Sequence, residues 1–166
     1  MARDNGFARE AMENHYNLLN REEEREMIPI CRQMGVSLIP YSPLAAGHLT
    51  RLTWDSDSLR SRTDKVAMGK YDCTEEEDME IVRRVDELAK KYGVKMSQIA
   101  LAWLWAKGVT APIIGATKPG YFDDAAGALS VRLTPDDIAY LEEKYLPHQL
   151  FGVIKQNPAE INKTLI

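Results

Sequence analysis

The chain has 166 residues, 45% of them hydrophobic and 28% charged, with a net charge of −4. That length supports one domain with a substantial core, and the acidic balance argues against nucleic acid or an anionic membrane surface as a partner. Two cysteines without CxxC spacing, Cys31 and Cys73, argue against a disulfide framework or a zinc site; with no signal-like apolar region and no membrane-length run, the chain reads as cytoplasmic.

Taken in order, residues 11–16 suggest a first strand, although Arg9 and Glu10 interrupt its apolar character. The run "REEEREMIPICRQMG" predicts a helix capped by Asn20. Glu22 to Glu24 lie at its positive end, Met27, Ile30, Cys31 and Met34 share one face, and Gly35 stops it. A buried strand over 36–41 follows at once and ends in Tyr41, Ser42 and Pro43, then small residues. Residues 50–73 carry neither period and read as a long polar loop. Thr74 with Glu77 predicts a capping box for a helix over 75–92, stopped by Gly93.

A second helix, from Ser97 to Gly108, is apolar almost all round and should be buried. These two helices have the spacing of a helix-turn-helix. However, Ile99, Leu101, Trp103 and Leu104 offer no base- or phosphate-reading groups. Residues 109–114 predict another strand, "GATKPG" turns into a helix, and Thr134 with Pro135 starts a last one. Strands alternating with helices imply an α/β fold with a parallel sheet, in which ligands bind at the carboxyl ends of strands. Both "YSPLAAG" and "GATKPG" fall at such ends.

Three stretches, "NHYNLLNREEEREMIPICRQMGVSLIPYSPLAAGHLTR", "KYGVKMSQIALAWLWAKGVTAPIIGATKP" and "LTPDDIAYLEEKYLPH", together resemble the aldo-keto reductases, in particular aryl-alcohol dehydrogenase-like members. The resemblance implies an NADP(H)-dependent oxidoreductase acting on an aldehyde, ketone or aryl alcohol. It also implies an incomplete (β/α)8 TIM barrel, because a full barrel takes about 250 residues. On this expectation residues 1–150 carry the last three βα units with closing helices, and 151–166 form a tail. The family's catalytic Asp, Tyr, Lys and His find no match, since nothing corresponds to "DTAxxYG". The chain is then expected to be a truncated form, or an inactive fragment acting by association through open sheet edges.

By the same resemblance Tyr41 stacks on nicotinamide, where residues alone would make it a strand-end aromatic capping the core. Ser42, Pro43, Leu44, Ala45, Gly47 and Leu49 cradle the pyrophosphate, and Arg51 either clamps it or faces water. Gly115, Ala116, Thr117 and Lys118 hold the 2′-phosphate at a helix start. Glu13 stands where a Gln pairs with the nicotinamide carboxamide. Tyr121, Asp124 and Ala125 lie at the adenine end, with Tyr121 and Ala125 departing from the usual Gln or Arg and Asn. His15 reads as a packed or hydrogen-bonded structural histidine, and His48 and His148 as surface residues without metal-ligand spacing.

Overall fold

In the computed structural model, which describes residues 10–54, 70–71 and 74–148, the chain is built on one central extended segment. Strand β1, Ala11–Met12, pairs in parallel with β2, Ser37–Leu38. The ladder continues beyond both: the amides of Ser37, Ile39 and Tyr41 donate to the carbonyls of Glu10, Met12 and Asn14, each at 2.9 Å. In a parallel strand, odd and even residues bond to opposite neighbours. The even residues of this strand accordingly serve residues 109–114, through Thr110 N–H to Leu38 O at 3.0 Å and Ile113 N–H to Pro40 O at 2.8 Å. The strand expected over 109–114 is therefore aligned with β2 by these bonds but does not form a ladder with it, and at Pro40 there is no N–H to return a bond. The described sheet is two short strands with this third segment beside them.

The first expected helix divides. A 3-10 turn spans Glu22–Glu24 and α1 spans Met27–Met34, with no side-chain cap from Asn20. Pro29 explains the break. Its ring would clash with the carbonyl of Arg25 in a continuous helix, whereas in the first turn of α1 its missing N–H is not needed. Gly35 ends α1 in the left-handed region, φ 66°.

Helices α2, Glu75–Tyr92, and α3, Met96–Ala106, pack against each other and against the 3-10 segment Ala45–Thr50, followed by α4, Gly120–Gly127, and α5, Pro135–Glu142. Thr74 does not form the expected capping box; its hydroxyl bonds the Tyr71 carbonyl and the buried Asp78 carboxylate instead. Thr134 does cap α5, reciprocally with Asp137. Ile99, Ala100, Leu101, Trp103 and Leu104 of α3 are all buried, so the helix expected in the core is in it. No helix among the described residues is long and apolar enough to cross a membrane. The expected 151–166 tail and most of the expected 50–73 loop lie outside the described residues. The parts of that loop that are described include Trp54 and Tyr71, both core residues rather than polar surface.

A half-buried ionic cluster locks the segment after β1 to α3 and α5. Arg21 Nη2 lies 2.7 Å from Glu24 Oε2 and 2.9 Å from Glu142 Oε2. Tyr16 donates to Glu24 at 2.5 Å and the Trp103 indole to Glu142 at 2.8 Å, while Lys107 reaches both carboxylates. Burial alone would raise the Glu24 pKa, but the hydrogen bonds from Arg21 and Tyr16 outweigh it and hold the group below its usual range. A depressed folded-state pKa stabilises above the unfolded value and is lost as pH falls through the folded one. Glu24→Gln should therefore cost about 1 kcal/mol near neutrality, solvent screening the half-buried pairs. In urea melts, the gap between wild type and variant should close as pH drops below 4.5.

Candidate functional site

Because Ile113 lies against Pro40, the two strand tips leave the sheet at the same edge. Tyr41 ends one of them and is 36% exposed. One face of its ring is stacked on His15, with centroids 5.1 Å apart and planes 14° from parallel. Lys70 Nζ lies 4.9 Å from the Tyr41 ring centroid and 3.4 Å from its hydroxyl.

The chain then turns tightly through residues 42–47. Ser42, Ala45 and Ala46 take φ values of 55°, 49° and 55°, and Gly47 takes 101°. Three non-glycine residues in the left-handed region are costly, and short side chains keep that cost low. The Ser42 carbonyl accepts from the Ala45 amide at 3.0 Å and from Asn17 Nδ2 at 2.9 Å, which fixes the turn at its start. The amides of Ser42 and Leu44 make no backbone hydrogen bond among the described residues. At Gly47 a Cβ would sit 3.0 Å from Arg51 Nη1, so the missing side chain makes room for the guanidinium over the loop. Desolvation there lowers the Arg51 pKa. Ala45 and Leu49 lie wholly in the core, and Pro43 is buried, so these three present almost nothing at the loop surface.

Asn17 is the hub of this region and is fully buried. Its Nδ2 also donates to the Tyr71 hydroxyl at 3.1 Å, and its Oδ1 accepts from the Leu19 amide at 2.9 Å. Tyr71 in turn bonds His15 Nε2 at 2.7 Å. Burial pushes the Tyr71 phenol up to about 12, against the opposing hydrogen bonds from Ser42 and Asn17. Burial, followed by the charges of Lys70 and His148, pulls His15 down to about 4. His15 is thus the packed, hydrogen-bonded group expected.

His48 and His148 are not the surface residues expected. His48 stacks on Trp54 at 4.0 Å, and His148 contacts the buried Asp78 carboxylate at 2.9 Å. All three histidines pack around Tyr71, at ring distances of 6.0, 5.4 and 6.5 Å for His15, His48 and His148. Among the described residues no group of three His, Cys, Asp or Glu side chains is placed to hold a metal ion.

At the second tip, Gly115 faces open space and Thr117 and Lys118 are exposed, two residues before α4. Ala116 is half-buried and Tyr121 is 47% exposed. Asp124 is engaged by Lys95 at 2.6 Å and ties α4 to the start of α3, while Ala125 is buried between them. Glu13 is exposed beside the Tyr41 tip. Sequence reasoning missed Asn17, Lys70 and Tyr71. The available signal was Trp54 and Tyr71, isolated aromatics near the two ends of a polar run.

A family model described as the aldo/keto reductase family matches residues 1–146. The chain belongs to that family. Versiconal hemiacetal acetate reductase of Aspergillus parasiticus is 44% identical over 138 residues, covering 82% of this chain and 40% of the relative. A Schizosaccharomyces pombe protein named as an aryl-alcohol dehydrogenase is 45% identical over 146 residues, covering 87% and 40%. Among solved structures, the thermostable aldo-keto reductase Tm1743, crystallised with the inhibitor epalrestat, superposes with a TM-score of 0.58 at 25% identity. That match covers 81% of this chain and 39% of the other. The chain thus spans about two-fifths of the length of these reductases.

Because Asn17 holds the reductase loop in its inverted turn, Asn17→Ala should cost about 2 kcal/mol, since it strands the buried Leu19 amide and takes one bond each from the Ser42 carbonyl and the Tyr71 phenol. It should also speed hydrogen exchange at the Ala45 amide beyond the global change, which amide exchange by NMR would measure.

Proposed function

We propose that this chain supplies the nucleotide-binding part of an NADP(H)-dependent oxidoreductase that interconverts an aldehyde or ketone with its alcohol, aryl alcohols included. We read it as the last three βα units of a (β/α)8 barrel. One observation carries the reading: the Ile113 to Pro40 hydrogen bond, which brings the 42–47 and 115–118 loops to one sheet edge. The names of the relatives support the chemistry.

The residues at that edge fit a dinucleotide. The Arg51 guanidinium seated over Gly47 and the Ser42 and Leu44 amides, which make no backbone hydrogen bond among the described residues, suit a pyrophosphate. Thr117, Lys118 and the start of α4 suit a terminal phosphate, in open space left by Gly115. Tyr41 offers a flat ring, and stacking fixes the plane of a nicotinamide without requiring a hydrogen bond. Glu13 can accept from a carboxamide NH2 but cannot donate to its carbonyl. The bound dinucleotide would supply the hydride. A carbonyl also needs a proton donor, and no residue of this chain matches the family's. That group would belong to the part of the reductases' length this chain does not span.

NADPH fluorescence titration tests the reading. Binding is expected, with Lys118→Ala weakening NADPH about tenfold, equivalent to about 1.4 kcal/mol, and leaving NADH within about twofold. No change in fluorescence at millimolar NADPH would overturn it.

A further inference from the structure

Behind Tyr41 lies a set of contacts that the nucleotide reading leaves without a role. His15 is pinned at its edge: Nε2 meets the Tyr71 hydroxyl at 2.7 Å, and Tyr71 is itself buried against His48 and held by Asn17. Since the Asn17 amide donates to the Tyr71 oxygen, the phenolic proton is free to point at His15. Tyr71 then donates and Nε2 accepts, which makes the imidazole neutral, with its proton on Nδ1. Burial acts in the same direction, ahead of the charges of Lys70 and His148. The imidazole face is what Tyr41 stacks on, and an isolated backbone bridge joins the same two residues, so main chain and ring are registered together.

We infer that His15 is a positioning residue, which sets the plane of the Tyr41 ring so that its remaining surface receives a flat heteroaromatic ring, the nicotinamide under the reading above, on which this inference rests. The residue touches no reacting atom. Its effect runs through Tyr41, whose ring would otherwise keep the exposed Lys70 contact but lose its stacked support, and would have to be immobilised on binding at the expense of affinity.

Calorimetric titration of wild type, His15→Ala and His15→Phe, with NADPH and with 2′,5′-ADP, which lacks nicotinamide, tests this. His15→Ala should weaken NADPH about tenfold and 2′,5′-ADP less than about twofold, because only the nicotinamide end depends on the Tyr41 plane. His15→Phe keeps a ring against Tyr41 and should fall between Ala and wild type. Unchanged NADPH affinity in His15→Ala would overturn the inference. So would equal losses for both ligands, which signal general damage, or a Phe variant as weak as Ala. A wild type that binds neither ligand would instead overturn the nucleotide reading.

Discussion

The alternation of hydrogen bonds along the central strand is the constraint from which the rest follows. Odd residues from Ser37 to Tyr41 face β1, and Leu38 and Pro40 face residues 109–114. Both neighbours run parallel to it, so all three carboxyl ends emerge together, and any side chain or amide placed just beyond them shares one edge. Pro40 weakens the pairing on one side while keeping its carbonyl for Ile113. The third segment is therefore held in register by a few one-way bonds.

Local strain at that edge is sustained by a buried polar hub. The inverted backbone at Ser42, Ala45 and Ala46 persists because Asn17, with no exposed surface, holds the Ser42 carbonyl from below. The same carboxamide grips Tyr71, and Tyr71 gathers the three histidines around it. A hub satisfied this fully rigidifies its surroundings, and each member lost leaves another stranded in low dielectric. Groups fixed in this way, beside amides that make no backbone hydrogen bond among the described residues, suit an anion-binding turn.

What the sequence disclosed was what is local. Thr134, Pro135 and Asp137 cap α5 as their spacing says, and the distant Lys91 and Tyr92 bond the same Asp137 carboxylate without displacing the cap. Thr74 has the same motif and fails, because buried Asp78 takes its hydroxyl. Pro29 could have warned that the first helix would divide, but the acidic run and the apolar face obscured it. The motifs at the two strand tips were legible as loops of small residues. Their support was not: Asn17 is one polar residue in a mostly buried stretch, and Tyr71 meets His15 across 56 positions of chain. Burial of His48 and His148 was likewise invisible, because Trp54 and Asp78 supply it from remote segments.

The ionic lock of Arg21 joins residues very far apart in the sequence: its amide meets the Tyr145 hydroxyl 124 positions later, and its guanidinium meets Glu142. Contacts of such separation form late, after closure entropy has been met elsewhere. During translation the segment leading out of β1 would emerge long before its counterpart, leaving a cation and the Tyr16 and Trp103 rings unshielded until α5 clears the ribosome. A nascent chain stalled short of that helix is the form most exposed to chaperones and proteases.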